Sequence, residues 1–264
     1  MGRVIIGLLA LVGAASASAA AEKIDPLSQA RVFYNQRDFT SAVKAAEQAR
    51  LVPARADSAD LIAARAYLER YRESASADDL TSGRERLRRL EPQRLAPRER
   101  TEFIIGLGEA LFFDAAYGAA ADVFESLLIG ADVLAPNGRE TALDWWATSV
   151  DRDARSRPDI DRQSRYSRIR DRMAAELSDQ PASAAASYWL AASARGLGDF
   201  QAAWDAAQAA WVRAPLAPDH GAALRADVDR LVLNAIVPGR AKAAGQNVDQ
   251  ARQEWEQFKQ KWTR

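Results

Sequence analysis

Apolar residues recur at helical spacing along almost the whole chain after Asp25. In one segment they fall at Leu61, Ala64, Leu68 and Tyr71, and steps of three or four residues place all four side chains on one face of a helix. No run of alternating β-branched residues between turn residues accompanies them, so strands are not expected. The pattern predicts an all-α protein, with helices at 26–36, 39–51, 57–73, 78–90, 97–113, 117–130, 139–155, 159–178, 183–196, 200–213, 219–235 and 247–262.

Short intervals separate these segments, and proline and glycine mark many of their ends. Pro238 follows the segment 219–235 and is expected to lie outside the helix, because proline lacks the N–H that a helix interior requires. The segments pair into about six antiparallel hairpins. No linker rich in Gly, Ser or Pro divides the chain, so residues 22–264 are interpreted as one domain.

Three segments share one register of small and aromatic residues. In each, a small residue is followed nine positions later by an aromatic residue, and three positions after that by alanine. The three sets are Ala30, Phe39 and Ala42; Gly108, Tyr117 and Ala120; and Ala191, Phe200 and Ala203. Small residues allow two helix backbones to approach, while an aromatic residue at the turn fills the gap between successive hairpins.

The segment GLGDFQAAWDAAQAAWVRAP shows the same division between small and large residues within one helix. Ala203, Ala207 and Ala210 form a stripe of small side chains, and Trp204 and Trp211 lie beside it. Small residues are therefore expected where helices touch, and tryptophan where a cleft must be filled.

This register resembles the tetratricopeptide repeat, with its W-x2-L-G-x2-Y, A-x3-F and P elements. The matching residues are Leu107-Gly108 and Ala120-x3-Phe124; Leu190-Ala191, Ala203-x3-Ala207 and Pro215; and Ala30-x2-Phe33, Ala42-x3-Ala46 and Pro53. Ala64 follows Ala30 by 34 residues, which equals the period of that family. Later intervals are longer, and the consensus tryptophans are missing. The resemblance implies a superhelix of αα-hairpins, a solenoid with a capping helix at its carboxyl end.

In the family that this chain resembles, the inner helix of each hairpin lines a concave groove. Carried over by register, the candidate ligand-binding residues are Arg31, Tyr34, Asn35, Ile105, Glu109, Phe112, Phe113, Tyr188, Ala192 and Arg195. For the aromatic residues, packing between helices is the alternative.

The final segment, Val248–Trp262, is amphipathic but lacks the repeat residues. A terminal repeat needs a cap with a polar outer face, so capping is the preferred interpretation. The alternative is a dimer formed through Trp255, Phe258 and Trp262.

The amino-acid composition limits which metal, cofactor and nucleic-acid sites the chain can form. The chain has 36 basic and 36 acidic residues, no cysteine and one histidine, His220. A lone histidine without cysteine is a poor metal site, so neither a metal nor a cofactor is predicted. Two arginine-rich runs, 84–100 and 151–172, are interleaved with acids, which favours i,i+4 ion pairs over nucleic-acid binding. An anionic envelope polymer or lipid headgroup remains an alternative ligand for them.

The first residues, MGRVIIGLLALVGAASASAAA, resemble a secretory signal peptide: Arg3 precedes a short apolar run, and A-x-A cleavage sites follow. Residues 1–21 are therefore predicted to be removed on export to the periplasm or beyond the cell. No later apolar run is long enough to span a membrane.

Together these features predict an exported, non-enzymatic scaffold or adaptor that binds a protein or peptide in the groove of the superhelix. Two alternatives are an enzyme that acts on envelope glycan through two carboxylates, and a structural subunit of an envelope assembly. An enzyme requires two acids facing each other across a cleft, one of them with a pKa raised by burial.

Overall fold

The computed structural model describes residues 25–129, 134, 136–217 and 219–263. The predicted signal peptide, residues 1–21, lies outside the described residues. Within these ranges the chain forms helices and turns, and no β-strand occurs. None of the described helices is both long and apolar enough to cross a membrane.

The helices follow one another with short turns between them. Their bounds are α1 Pro26–Asn35, α2 Phe39–Arg50, α3 Ala56–Ser74, α4 Ala77–Arg89, α5 Pro97–Phe113, α6 Tyr117–Ile129, α7 Pro136–Arg155, α8 Asp159–Asp179, α9 Ala184–Gly196, α10 Phe200–Arg213, α11 Ala222–Leu231, α12 Val237–Ala244 and α13 Val248–Trp262. Short 3-10 turns occur at Pro53–Arg55, Pro92–Arg94 and Ala214–Leu216, and a π-helical segment, Val232–Ile236, joins α11 to α12.

Each helix packs mainly against its neighbours in the chain. A second set of contacts joins the odd-numbered helices in succession, from α1 to α3, α5, α7, α9 and α11. The buried residues accordingly form consecutive clusters along the chain instead of one central core. The odd-numbered helices therefore form a continuous layer of the molecule.

Three hairpin turns have the same backbone structure. Arg37, Ala115 and Gly198 all have positive φ, at 61°, 57° and 78°. In each turn this residue donates its N–H to the carbonyl three residues earlier, and the next residue donates to the carbonyl five residues before itself. These turns follow the three small residues of the predicted register, Ala30, Gly108 and Ala191. The register found in the sequence thus corresponds to a repeated local structure.

Small residues lie where helices approach closely, as the sequence predicts. A β-carbon at Gly108 would lie 2.6 Å from Phe124 Cζ, and one at Gly196 would lie 2.6 Å from the Tyr166 ring. The alanine stripe of α10 is fully buried: Ala203, Ala207 and Ala210 have no exposed surface. Backbone and ring are therefore in direct contact at two helix crossings.

The prediction that a helix ends at residue 235 is wrong. The helix of α11 continues through the π-helical segment and Pro238 to Ala244. A π-helical turn changes the hydrogen-bonding partners next to the proline, whose missing N–H would otherwise interrupt the helix. Tertiary packing holds the extension in place, because Val237 and Ala241 are buried and Gly239 lies against the Phe200 ring.

The carboxyl-terminal helix α13 packs on α10 and α12. Trp255 is fully buried between Trp204 and Trp211, with ring centroids 5.6 Å away in both directions. Its Nε1 donates to Asp229 at 2.8 Å. Trp255 is therefore unavailable for the alternative dimer interface, whereas Trp262 remains 48% exposed.

The two arginine-rich runs form many ion pairs, and some have the predicted i,i+4 spacing. Arg157 and Asp153 are such a pair, at 2.9 Å. Others join different helices: Arg86 of α4 pairs with Asp60 of α3 and Glu47 of α2. The expectation of i,i+4 ion pairs is therefore only partly correct, because Arg86 is largely buried and links three helices.

Candidate functional site

A cleft of about 280 Å³ opens on the layer of odd-numbered helices near the amino terminus. Its walls come from α1, α3 and α5, and its lining residues are Arg31, Tyr34, Asn35, Ile62, Arg65, Arg98 and Glu102. We call it the amino-terminal cleft. Three of the residues predicted from the sequence, Arg31, Tyr34 and Asn35, lie in it together.

A capping residue, a proline in the first turn and an ion pair to α5 hold helix α1 beside this cleft. The Asp25 side chain accepts the Ser28 N–H at the start of α1, and Pro26 occupies the first turn, where its missing N–H has no cost. Arg31 then pairs with Glu99 of α5 at 2.6 Å. These contacts position the α1 side chains over α3 and α5.

The floor of the amino-terminal cleft contains an ion pair between Arg65 and Glu109. Arg65 Nε lies 3.1 Å from Glu109 Oε2, and Arg65 Nη2 lies 3.3 Å from Oε1. Arg65 Nη1 also donates to the carbonyl oxygen of Glu102 at 3.4 Å. The side chains are only 11% and 2% exposed, respectively. Three contacts therefore fix the Arg65 guanidinium.

The electrostatics of the cleft follow from this burial. Burial raises the pKa of the Glu109 carboxyl, and the adjacent Arg65 guanidinium opposes that shift. Burial also raises the pKa of Tyr34, whose ring lies 5.6 Å below the Arg65 guanidinium carbon. Because guanidinium has five N–H donors, Arg65 retains one N–H on Nη1 and one on Nη2 without an acceptor among the described residues. The cleft can therefore donate hydrogen bonds to an acidic group.

Two of the predicted groove residues on α5 are not at the surface of the cleft. Ile105 is 8% exposed and packs in the cluster that joins α5 to α9, while Glu109 is 2% exposed and lies behind Arg65. The prediction that these two side chains face a ligand is corrected. Helices packed on several sides of α5 enclose them, and a register taken from one helix pair cannot show this.

Phe112 and Phe113 are half-buried and belong to a network of aromatic contacts. The Phe112 ring centroid lies 5.0 Å from Trp145, and that of Phe113 lies 4.9 Å from Tyr71. These edge-to-face contacts connect α3, α5 and α7. Packing between helices, the alternative interpretation for both residues, accounts for their positions.

The candidates on α9 lie far along the chain from the amino-terminal cleft and do not line it. Tyr188 packs edge-on against Trp189 at 5.4 Å, and burial raises its pKa, as do Asp227, Asp151 and Asp144. Ala192 is half-buried against a core cluster. Arg195 is exposed and lines a different cleft. The ten predicted residues therefore do not form one site.

Sequence reasoning missed Ile62, Arg65, Arg98 and Glu102, which complete the amino-terminal cleft. For Arg65 a signal was present. It directly follows Ala64, just as Arg31 directly follows Ala30, and the two alanines are one 34-residue period apart. The residue 34 positions after Arg31 is Arg65, so the repeat period identifies it.

The described lining of the cleft bears on acid–base and metal chemistry. Glu102 is the only carboxyl among the described residues that line it. No group of three or more histidine, aspartate or glutamate side chains in the described part of the chain is arranged to hold a metal ion.

Comparison with known proteins supplies no relative. Known protein families, curated proteins and solved structures contain no match to this chain.

Proposed function

We propose that this chain is an exported, non-enzymatic adaptor that binds a protein or peptide in a groove formed by its odd-numbered helices. Its architecture is proposed to be a superhelix of αα-hairpins, as in the tetratricopeptide repeat. Two observations support that architecture: the succession of contacts between odd-numbered helices and the shared structure of three hairpin turns. Solenoids of this kind present long concave surfaces to other chains.

The amino-terminal cleft is the observation that carries the proposal. Residues from α1, α3 and α5 line one concave surface, as expected for a groove that crosses successive repeats. Arg65 is fixed at its floor by Glu109 and by the backbone of Glu102. An arginine held in this way loses little conformational freedom when a partner binds, so its contacts with the partner carry a small entropic cost.

The chemistry of the lining residues indicates what kind of segment fits. The arginines that supply donors, Arg31, Arg65 and Arg98, also pair with Glu99, Glu109 and Glu102. Asn35 supplies an amide, and Ile62 supplies an apolar surface. A carboxylate accepts hydrogen bonds from guanidinium in a planar, bidentate geometry. The proposed ligand is therefore a peptide segment with an acidic side chain next to an apolar one.

The glycan-hydrolysing alternative receives less support. Its mechanism needs two carboxyl groups on opposite sides of a bound sugar. Glu109 has a raised pKa, but it is enclosed behind Arg65, and the described lining of the cleft contributes Glu102 alone. No observation favours the third alternative, a structural subunit, over the adaptor.

Site-specific photocrosslinking tests the proposal. A benzoylphenylalanine is placed at Asn35, which is exposed and lines the cleft, and in a matched control at Gln48, which is exposed on α2 and does not line it. Both tagged full-length chains are irradiated in the native envelope, and crosslinked products are identified by mass spectrometry. The adaptor proposal expects one discrete protein partner at Asn35 and none at Gln48.

A substitution pair then tests the chemistry of the cleft. Arg98→Gln alters a lining side chain that is 86% exposed, and Arg88→Gln alters an exposed arginine on α4. Loss of a charge-assisted hydrogen bond should weaken crosslinking by about tenfold in Arg98→Gln only. Equal labelling at Asn35 and Gln48, or release of soluble sugar from envelope glycan by the purified protein, would overturn the proposal.

A further inference from the structure

A second cleft, of about 610 Å³, lies between the α7–α8 and α9–α10 hairpins. Its lining residues are Arg155, Arg162, Tyr166, Arg195, Gly196, Gly198, Phe200 and Ala235. We call it the arginine cleft. It shares no lining residue with the amino-terminal cleft, so its chemistry is independent of the proposed adaptor function.

Three arginines reach this cleft from three different helices. Arg155 is the last residue of α7, Arg162 lies in the first turn of α8, and Arg195 lies in the last turn of α9. The carboxyl-terminal ends of α7 and α9 lie close together, because residues at both ends line the same cleft. The fold, and not local sequence, therefore brings these cations together.

Two of the three arginines have acidic partners. Arg155 pairs with Asp151 at 2.6 Å, and Asp151 also accepts the Tyr166 hydroxyl at 2.8 Å. Arg162 pairs with Asp159, an exposed carboxylate on its own helix. An exposed pair of this kind is weak and exchanges readily with solvent.

Arg195 has no such partner. It is exposed, and it makes no ion pair or hydrogen bond through its side chain with any described residue. The nearby carboxylate of Asp199 is engaged at the start of α10, where it accepts the Ala202 N–H at 2.9 Å. Three guanidinium groups therefore line the cleft, and Arg195 is the one without an ion-pair partner among the described residues.

The walls of the arginine cleft are shaped by close backbone packing. Gly196 lies against the Tyr166 ring, where a β-carbon would be 2.6 Å from Cδ1. This contact fixes α9 relative to α8 next to Arg195. The π-helical segment contributes Ala235 to the lining of the cleft, and such segments are frequent at functional sites.

We infer that the arginine cleft binds a phosphoryl group. Donors that three helices supply to one cleft suit a tetrahedral oxyanion, which offers three or more acceptor oxygens in different directions. A carboxylate, in contrast, accepts in one plane. Arg195 supplies the unpaired charge, and Arg162 can exchange its weak contact with Asp159 for the anion.

The phosphoryl group has two sources, a soluble phosphorylated molecule or a phospholipid headgroup. The first arm of the test titrates inorganic phosphate into the ¹⁵N-labelled protein and follows the Gly196 and Gly198 amide signals by NMR. The second arm measures cosedimentation with phosphatidylcholine vesicles that contain or lack phosphatidylglycerol. Arg195→Gln is the test variant in both arms. Arg88→Gln, which alters an exposed arginine of α4 without an ion-pair partner among the described residues, is the matched control.

The expected result is that phosphate shifts both glycine amide signals in a saturable way. The affinity for phosphate should be about tenfold lower in Arg195→Gln and unchanged in Arg88→Gln. Phosphate binding without vesicle binding assigns a soluble ligand. Arg195-dependent binding to anionic vesicles assigns a lipid headgroup. The inference is overturned if neither probe binds, or if both arginine variants behave alike. Arg195→Gln should retain the native melting temperature, because the arginine has no partner among the described residues to lose.

Discussion

Arg65 of α3 and Glu109 of α5 form a buried ion pair at the floor of the amino-terminal cleft. Their contacts, at 3.1 and 3.3 Å, join both carboxylate oxygens to one guanidinium group. Glu109 is 2% exposed, whereas Arg65 lines the cleft. The pair thus connects the packing of two odd-numbered helices to the surface that we propose binds a partner.

Breaking this pair should destabilise the protein strongly. Glu109→Gln leaves the Arg65 charge buried without a counter-charge, and we expect the free energy of unfolding in urea to fall by about 3–5 kcal/mol. In the double variant Arg65→Met/Glu109→Leu, the free energy of unfolding should fall by a smaller amount, because both buried charges are removed together.

The matched control for this prediction is Glu85→Gln. Glu85 pairs with Arg89 on an exposed helix face at 3.6 Å, so its loss should cost less than about 1 kcal/mol. A cost for Glu109→Gln as small as that of the control would show that the ion pair does not hold α3 to α5.

The contact between Gly108 and Phe124 should not tolerate a methyl group. In Gly108→Ala the new β-carbon would lie 2.6 Å from a fully buried ring, and such overpacking costs about 1–3 kcal/mol. Gly118→Ala is the control, because its β-carbon would meet no atom closer than 3.6 Å. Alanine also favours the helix by up to about 1 kcal/mol. Thermal or urea unfolding should therefore shift in opposite directions for the two variants.

Because the three turns are equivalent, exchanging alanine and glycine at their positive-φ positions should change the free energy of unfolding in opposite directions. Ala115 and Gly198 both have positive φ, a conformation that costs an L-residue about 1–2 kcal/mol. Ala115→Gly should raise the free energy of unfolding by about 0.5–1 kcal/mol after the greater chain entropy of glycine is included. Gly198→Ala should lower it by a similar amount, since no atom lies near enough for a clash. A loss of stability in Ala115→Gly would contradict the shared turn geometry.

Tyr166 should make stability depend on pH in the alkaline range. Burial, together with the Asp151 carboxylate that accepts its hydroxyl, raises the pKa of Tyr166 from 10.0 to about 12. Below pH 10 the phenol is neutral in both the folded and the unfolded chain. Between the two pKa values only the unfolded chain ionises, so the free energy of unfolding falls as pH rises.

In Tyr166→Phe, the free energy of unfolding should fall less between pH 10 and pH 12 than in the wild type. The difference between the ultraviolet titrations of the wild type and of Tyr166→Phe should contain one tyrosinate with a midpoint near pH 12. A midpoint near 10 would show that the phenol is neither buried nor held by Asp151. The comparison uses the pH dependence, so a uniform loss of stability in the variant does not affect it.

The helix boundaries were largely predictable, because they depend on neighbouring residues. Asp38 and Asp199 cap α2 and α10 through the N–H groups of Ser41 and Ala202, and the bounds predicted for 97–113 and 200–213 agree with the structure. The continuation through Pro238 was not predictable in this way. It depends on the contact between Gly239 and Phe200, two residues that only the fold brings together.

The amino-terminal cleft, which we propose binds a partner, likewise combines residues that the sequence identified with residues that it did not. Three residues predicted from the repeat register, Arg31, Tyr34 and Asn35, line the amino-terminal cleft, and their contact with a ligand stays a prediction. The register placed Glu109 in the groove incorrectly, since Glu109 is enclosed by helices that come from other parts of the chain.

By itself, then, the sequence determined the all-helical structure and the positions of small and large residues in the register, because periodicity, capping and turn residues act locally. The tertiary structure alone decided which side chains of the odd-numbered helices are exposed and which arginines share a cleft. Exposure and charge balance depend on neighbours that are distant in the chain. Arg195 is unpaired among the described residues because the acids of α7 and α8 pair with other side chains and Asp199 caps α10.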